Sequence, residues 1–305
     1  MKLSAFLFIV VFSSILLIAC ENSESNSSQP PPSQQVKYSN ASTSASGDSL
    51  NIQLFNKVMD YAKEHTLSDQ PLGIIIQEVG EWFMDIPYVA GSLDEHEQER
   101  LVVKLDGFDC VTFVESTLAL SRTIADASYS FESFKTTLIE QRYRASAVDG
   151  YCSRLHYFSE WIYRNEEKGA VQNITENLGG VRLEKTLNFM SSHRDSYPQL
   201  ASSDSLFSEL IDVENTLAGL DLFYIPQNQI RAVYDLLQEG DIIALATDIN
   251  GLDVVHTGFV HKSEAGETGL MHASTTKGVT VSPDLQDYVE NNKRQIGILV
   301  ARPMK

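Results

Sequence analysis

The stretch DGFDCVTFVE, residues 106–115, places a turn, a helix cap and a cysteine in direct succession. Gly107 permits a tight turn and Asp109 is a favoured cap, so Cys110 is predicted in the first turn of an amphipathic helix. A thiol there lies at the positive end of the helix dipole, which is expected to lower its pKa. The free N–H groups of the same turn could also receive an oxyanion. The stretch predicts a nucleophile; the competing interpretation is that Cys110 is a small buried apolar residue.

Helical periodicity surrounds this stretch on both sides. Apolar residues at helical spacing predict a helix over 52–62 and another over 72–82, the second with Pro71 in its first turn and Ser68 or Asp69 as its cap. Downstream, the same spacing predicts helices over 131–142, 157–164 and 205–217.

Strand patterns dominate the chain after Gly240. Short β-branched runs separated by Gly, Asp, Asn and Pro predict strands over 241–246, 254–260, 270–272, 279–281 and 296–301. Helices that precede strands indicate an α+β fold, with an N-terminal helical lobe packed on a small C-terminal antiparallel sheet or half-barrel. Between them, residues 169–226 give a weak pattern with one strand predicted near Val181.

Composition narrows the classes of function. The 305 residues carry 23 Lys and Arg against 41 Asp and Glu, a formal charge of −18, which argues against a nucleic-acid partner. Three cysteines are too few for a disulfide framework. Only one apolar run approaches membrane-spanning length. A bundle of membrane helices needs several such runs, so that class of protein is excluded.

That apolar run opens the chain and predicts a leader sequence. Lys2 is followed by an apolar stretch that ends in LIAC, residues 17–20, which is typical of a secretory signal peptide and resembles a bacterial lipobox. Cleavage would then leave lipid on Cys20; a plain signal anchor is the alternative. We therefore predict a signal peptide over 1–19, a lipidated flexible Ser/Pro-rich linker over 20–48 and one catalytic domain over 49–305. The predicted location is the bacterial cell envelope.

Two histidines could supply the base that a nucleophilic cysteine needs. His256 lies inside the apolar run DVVHTGFV, residues 253–260, and His272 inside LMHAS, residues 270–274. On successive strands of one sheet, one imidazole could accept the thiol proton while the other bonds behind it. The alternative for each histidine is a satisfied core residue.

These residues occur in an order that resembles a known family. The stretches PYVAG (87–91), DC (109–110), HTGF (256–259) and HAS (272–274) resemble the NlpC-type, papain-like cell-wall peptidases, and most closely their N-acetylmuramoyl-L-alanine amidase-like branch. Further similar stretches cover the rest of the chain from about residue 50: 99–103, 151–158, 189–191, 240–243 and 300–303.

The resemblance implies a papain-like fold in which Cys110 is the nucleophile, His256 the base and His272 the third member. It implies cleavage of the amide between muramic acid, in its 1,6-anhydro form, and L-alanine of peptidoglycan fragments. Thr257 departs from the valine common at its position. No metal or cofactor is expected, since there is no His-Glu-x-x-His zinc motif, and we expect a monomer.

A substrate-binding set follows in part from the same resemblance. It contains five residues: Tyr88, Asp109, Arg154, His156 and Tyr157. Tyr88 is implied to line the cleft, and Arg154 with His156 could bind the sugar or the peptide carboxylates, although an internal ion pair is equally open to Arg154.

Three alternatives bear on the activity. A stem-peptide endopeptidase of the NlpC type and a catalytically dead peptidoglycan-binding lipoprotein fit the same sequence. A disulfide between Cys110 and Cys152 would remove the nucleophile.

Overall fold

The computed structural model describes residues 44–305, and the predicted signal peptide, Cys20 and most of the predicted linker lie outside the described residues. The helices in this part of the chain are α1 (Ser44–Glu64), α2 (Leu72–Trp82), α3 (Cys110–Ala125), α4 (Phe131–Arg142), α5 (Phe158–Glu167), α6 (Phe189–Ser192), α7 (Pro198–Ser202), α8 (Asp204–Leu217) and α9 (Leu285–Glu290). Short 3-10 turns cover Leu67–Asp69, Tyr151–Ser153, Arg194–Ser196 and Gln227–Leu236. None of the helices described is long and apolar enough to cross a bilayer.

The strands form one antiparallel sheet. They are β1 (Val171–Asn173), β2 (Val181–Arg182), β3 (Phe223–Pro226), β4 (Ile242–Thr247), β5 (Val254–Lys262), β6 (Thr268–Ser274), β7 (Gly278–Ser282) and β8 (Gln295–Pro303). Their order is β2-β3-β8-β4-β5-β6-β7, and β1 pairs with β8. The mixed fold with an antiparallel sheet matches the predicted class. The sheet is larger than the predicted small one, because the weakly patterned segment 169–226 contributes β1 and β3 as well as β2, the strand predicted near Val181.

Each predicted helix and strand is present, with local corrections. Pro71 is itself the cap of α2, with no side-chain cap, so the assignment of Ser68 or Asp69 as its cap was wrong. The predicted core face of α1 is buried at Phe55, Met59 and Ala62, but its first residue, Ile52, is 40% exposed and Asn51 is buried instead. The Asn51 amide donates to Val103 O at 2.9 Å. Helix α1 begins at Ser44, inside the segment predicted as linker.

Apolar clusters lie on both faces of the sheet. The larger one joins helices α1 to α5 to the inner face of β4 to β8. A second cluster fills the opposite face beneath α9 and the Gln227–Leu236 turn. A third holds α6 to α8 together. The sheet is therefore buried on both faces over its central strands, which explains the unbroken burial of β4 and β6.

A chain of aromatic rings fixes the start of α3 against the sheet. Phe83 contacts Phe108 edge to face at 5.0 Å between ring centroids, Phe108 contacts Phe113 at 5.8 Å, and Phe113 contacts Phe259 of β5 at 5.8 Å. Such pairs contribute about 0.5–1.5 kcal/mol each beyond area burial. The N-terminus of α3 is thus held next to β5.

Candidate active site

The first turn of α3 carries the predicted nucleophile. Asp109 accepts a hydrogen bond from the Thr112 N–H at 2.8 Å, and the Thr112 hydroxyl accepts one from the Asp109 N–H at 2.9 Å, which completes a capping box. Cys110 is the first residue of the helix and is half-buried. Its thiol is free. The sequence prediction of a cysteine at a capped helix start is confirmed.

The segment that carries Tyr88 lies alongside this turn. The Val89 N–H donates to Phe108 O at 2.9 Å and the Phe108 N–H donates to Pro87 O at 3.1 Å, so Tyr88 and Phe108 form a parallel bridge. Just before it, the Asp85 N–H donates to Val279 O at 2.9 Å and the Val279 N–H donates to Ile86 O at 2.8 Å, which ties the segment to β7. Tyr88 is half-buried, and its bridge partner Phe108 lies two residues before Cys110 in the sequence.

A β-bulge places His256 on β5. Leu245 of β4 pairs with His256, whereas Ala246 pairs with Val254, so Val255 is the extra residue. Bulges turn a strand locally and redirect its side chains. Gly258 then lets β5 approach the next strand closely, because a Cβ at this position would lie 2.9 Å from the His272 Cβ and 2.5 Å from Met271 O.

The two predicted histidines are hydrogen-bonded to each other. His256 Nε2 lies 2.8 Å from His272 Nδ1, with the rings nearly perpendicular at 85°. His272 Nε2 lies 3.1 Å from the Ser282 Oγ. The ring of Tyr288 on α9 covers the pair, with centroids 4.7 Å from His272 and 6.0 Å from His256.

Backbone groups from both lobes meet at the Cys110 sulfur. The backbone N–H groups of Thr257, Val111 and Cys110 itself act on the thiol and favour its anionic form. Thr257 directly follows His256, so this contact brings β5 and the start of α3 together at one point. The Thr257 hydroxyl is occupied elsewhere, since it donates to Ile243 O at 2.8 Å.

Burial keeps both central groups neutral. Desolvation, followed by the charge of Asp109, raises the pKa of Cys110 to about 12 despite the three N–H groups. Desolvation lowers the pKa of His256 to about 4. Burial also holds the pKa of His272, which is 2% exposed, well below its ordinary value. The expected lowering of the Cys110 pKa was therefore wrong for the free site, because the helix start is less solvated than the sequence suggested.

Arg154 forms an internal ion pair. It is 6% exposed, and its guanidinium contacts Asp94 at 2.6 Å and Glu99 at 3.3 Å. Glu99 also accepts from the Tyr143 hydroxyl at 2.8 Å. The ion-pair alternative is what the structure contains, so both carboxylates compete with any substrate carboxylate for Arg154.

The two remaining predicted contacts are engaged internally. His156 Nε2 lies 2.9 Å from Tyr151 O. Tyr157 is 1% exposed, and its hydroxyl donates to Glu214 at 2.7 Å and accepts from the Met190 N–H at 3.1 Å. The ring of Tyr157 belongs to the core around α6 to α8, and its role in substrate binding stays a prediction.

Cys152 and Cys110 are not paired in the structure. Cys152 is buried in the α6 to α8 core, where its thiol donates to Leu206 O at 3.6 Å. Within residues 44–305, no group of three or more His, Cys, Asp or Glu side chains is placed to hold a metal ion.

Sequence reasoning missed two residues at the site, Ser282 and Tyr288. Ser282 reaches His272 only through the β6–β7 register, which no local pattern reveals. Tyr288 lies on the short helix α9, whose six residues are too few for a periodic signal.

Comparison with known proteins identifies the family. The model of the N-acetylmuramoyl-L-alanine amidase-like family matches residues 78–298. A crystal structure of an N-acetylmuramoyl-L-alanine amidase from Bacteroides uniformis is 34% identical with a TM-score of 0.73, covering 77% of this chain and 99% of its own. A Bacteroides fragilis structure, named as that of a candidate xylanase, is 33% identical with a TM-score of 0.69, covering 74% of this chain and 99% of its own.

A more distant structure shares the fold. A Legionella pneumophila protein is 20% identical with a TM-score of 0.64, covering 85% of this chain and 97% of its own. No curated protein sequence matches the chain. The family match spans most of the described residues, including Cys110, His256, His272 and Ser282. The chain belongs to the N-acetylmuramoyl-L-alanine amidase-like family.

Proposed function

We propose that this protein is a cysteine-dependent peptidoglycan amidase that hydrolyses the bond between N-acetylmuramic acid, in its 1,6-anhydro form, and L-alanine. Family membership supports amidase activity on peptidoglycan in general. The single observation that carries the cysteine mechanism is the packing of the helix that begins at Cys110 against β5, the strand on which His256 is hydrogen-bonded to His272 at 2.8 Å. Soluble fragments released in cell-wall turnover are the proposed substrates.

In the proposed reaction, the imidazole of His256 takes the proton of the Cys110 thiol as the sulfur attacks the lactyl carbonyl. The carbonyl π electrons move to oxygen, and N–H groups at the start of α3, including that of Cys110, receive the oxyanion. When the intermediate collapses, the C–N bond breaks and His256 gives its proton to the amine of L-alanine. Water then hydrolyses the thioester and restores the thiol.

A neutral Cys110 thiol and a neutral His256 imidazole in the free protein fit this sequence of proton transfers. With the pKa of Cys110 raised to about 12 and that of His256 lowered to about 4, the proton stays on sulfur until a substrate carbonyl is present. Attack converts the sulfur to a thioether-like centre, so the proton moves in the same step in which negative charge develops on the carbonyl oxygen.

The test uses defined anhydro-muropeptides and mass spectrometry of the products. We expect release of the intact stem peptide together with the free anhydro sugar. Cys110→Ala and His256→Ala should each lower kcat by about a thousandfold or more, in the range seen when a nucleophile or its base is removed. Cys152→Ala is the matched control, since Cys152 donates to Leu206 O in a separate core, and it should retain turnover.

The same assay separates the alternatives. An endopeptidase would leave L-alanine on the sugar and shorten the peptide, and a binding lipoprotein would bind the muropeptide equally well with Cys110 or alanine and release nothing. Muropeptides with a reducing sugar, run in parallel, report the preference for the anhydro form. Xylan, prompted by the name of the Bacteroides fragilis neighbour, should yield no products.

The remaining expectations are part of the same proposal. We propose a papain-like arrangement of the two lobes, a monomer, and an envelope lipoprotein held by acyl chains on Cys20 after removal of residues 1–19. The LIAC stretch at 17–20 supports the anchor. The opposition of α3 to β5 supports the papain-like description.

A further inference from the structure

A third side chain extends the histidine pair. His256 Nε2 and His272 Nδ1 lie 2.8 Å apart, and His272 Nε2 lies 3.1 Å from the Ser282 hydroxyl oxygen. Three ring nitrogens along this chain, His256 Nε2, His272 Nδ1 and His272 Nε2, therefore have a side-chain partner within hydrogen-bond distance. Neutral imidazole carries one proton, so a donor at one nitrogen makes the other an acceptor.

Only one direction of these bonds is compatible with His256 as a base. Its Nε2 is occupied by His272, so its Nδ1 must be the atom that accepts the thiol proton, and the resting proton must sit on Nε2. His256 then donates to His272 Nδ1, and His272 must carry its own proton on Nε2. The reverse direction puts a proton on His256 Nδ1 and removes the base.

The same direction is needed after proton transfer. The imidazolium of His256 has protons on both nitrogens, so its Nε2–H can only donate to His272 Nδ1. If His272 carried its proton on Nδ1, two N–H donors would face each other and no hydrogen bond could form between the rings. The tautomer of His272 therefore determines both the resting base and the stability of the charged intermediate.

Ser282 lies at the end of this chain because of strand register. His272 pairs with Thr280, and Ser282 pairs with Leu270, so Ser282 is the diagonal neighbour of His272 across β6 and β7. A diagonal neighbour is within reach of a long ring. The Tyr288 ring, 4.7 Å from His272, covers part of the imidazole and restricts its access to water.

We propose that Ser282 is a positioning residue: its hydroxyl oxygen accepts the Nε2 proton of His272 and thereby holds the tautomer in which His256 can act as a base. The proposal rests on the proposed function, in which His256 is that base. Ser282 touches neither substrate nor sulfur in this role, and it acts only through His272.

The direct test is the tautomeric state of His272 in the purified protein. Histidine labelled with ¹⁵N distinguishes a protonated from an unprotonated ring nitrogen, and we expect His272 to carry its proton on Nε2 in the unmodified protein. This measurement needs no substitution, so it remains valid even if a Ser282 variant folds poorly. A His272 that is protonated mainly on Nδ1 would overturn the proposal.

Substitutions then measure the effect on turnover. Ser282→Ala should increase the Nδ1-protonated fraction of His272 and lower kcat about threefold to tenfold with KM unchanged, the size expected for one lost hydrogen bond. Ser282→Thr keeps the hydroxyl and should restore both. Ser263→Ala, which removes a hydroxyl from the β5–β6 turn, is the matched control and should leave the His272 spectrum unchanged.

The outcomes separate this inference from the proposed function. If Ser282→Ala changes neither the His272 tautomer nor kcat, the positioning role is wrong while the cysteine mechanism stands. If His256→Ala retains full turnover, the mechanism itself is wrong, whatever the tautomer shows.

Discussion

At the scale of single residues, desolvation raises the pKa of Cys110 more than the N–H groups at the helix start lower it. The N–H groups of Cys110, Val111 and Thr257 favour the thiolate, yet burial and the neighbouring carboxylate of Asp109 raise the pKa of Cys110 to about 12. A free thiolate paired with an imidazolium is therefore disfavoured before substrate binds. In the proposed mechanism the proton stays on sulfur and His256 removes it during attack.

This balance gives a prediction for the dependence of kcat/KM on pH. His256 must be neutral to act as a base, and burial lowers its pKa from 6.5 to about 4, so kcat/KM should rise as pH increases through about 4. Cys110 stays protonated far above neutrality, so no further change is expected between about pH 6 and pH 8. Initial rates on an anhydro-muropeptide across this range measure it.

The ultraviolet absorbance of the thiolate gives an independent check. The difference between the unmodified protein and Cys110→Ala should show no thiolate at neutral pH. An acid limb at or above about pH 6.5, or a thiolate signal at neutral pH, would contradict the neutral pair.

At the scale of elements, the cap of α3 has two opposing effects. Asp109 stabilises the helix start through its bonds with Thr112, at 2.8 Å to the backbone N–H and 2.7 Å to the hydroxyl. Its charge also raises the pKa of the adjacent thiol. The oxygen that accepts the hydrogen bonds and the charge that opposes the thiolate can be separated by substitution.

We predict different outcomes for two substitutions of Asp109. Asp109→Asn keeps a capping oxygen and removes the charge, so the pKa of Cys110 should fall and alkylation by iodoacetamide should become faster, with Tm near that of the unmodified protein. Asp109→Ala removes the cap and should lower the free energy of unfolding by about 1 kcal/mol. Mass spectrometry of the Cys110 peptide follows alkylation without interference from Cys152.

Equal alkylation rates in the unmodified protein and Asp109→Asn would show that the charge of Asp109 does not control the thiol. A Tm for Asp109→Asn as low as that of Asp109→Ala would show that the carboxylate itself, and not only an acceptor oxygen, is needed at the cap.

Elements with a local signal could be predicted from the sequence, and the contacts between them could not. The capped start of α3 and the strands after Gly240 follow from spacing over a few residues. The extra residue Val255, which sets the position of His256, depends on the pairing of β5 with β4. Ser282 likewise meets His272 through register alone. The partners of Arg154 lie about sixty residues away in sequence, beyond any local pattern.

At the scale of the whole molecule, the site depends on two regions more than a hundred residues apart in sequence. Aromatic contacts from Phe83 through Phe113 to Phe259 connect the helices to the sheet. Cys110 and the Thr257 N–H meet beside this connection. The proposed nucleophile and the proposed base therefore come together only when the two lobes pack, and an isolated helical lobe would hold Cys110 without His256.

The proposed lipid anchor on Cys20 attaches the protein to a membrane, and the folded domain does not need this attachment for the proposed reaction. Acyl chains on Cys20 contribute roughly 0.8 kcal/mol per buried methylene, so loss of lipid should release the protein from membranes. We predict that Cys20→Ser moves the protein from the membrane to the soluble fraction, while kcat/KM on a soluble anhydro-muropeptide stays within about twofold of the unmodified protein, because the substitution lies outside the catalytic site. Fractionation with immunoblotting measures the first, and product release the second. Ser23→Ala, also in the predicted linker, is the matched control and should remain in the membrane fraction. Membrane retention of a Cys20→Ser protein whose intact mass shows that residues 1–19 have been removed would show that another segment holds the protein there and that the LIAC stretch is not a lipidation signal.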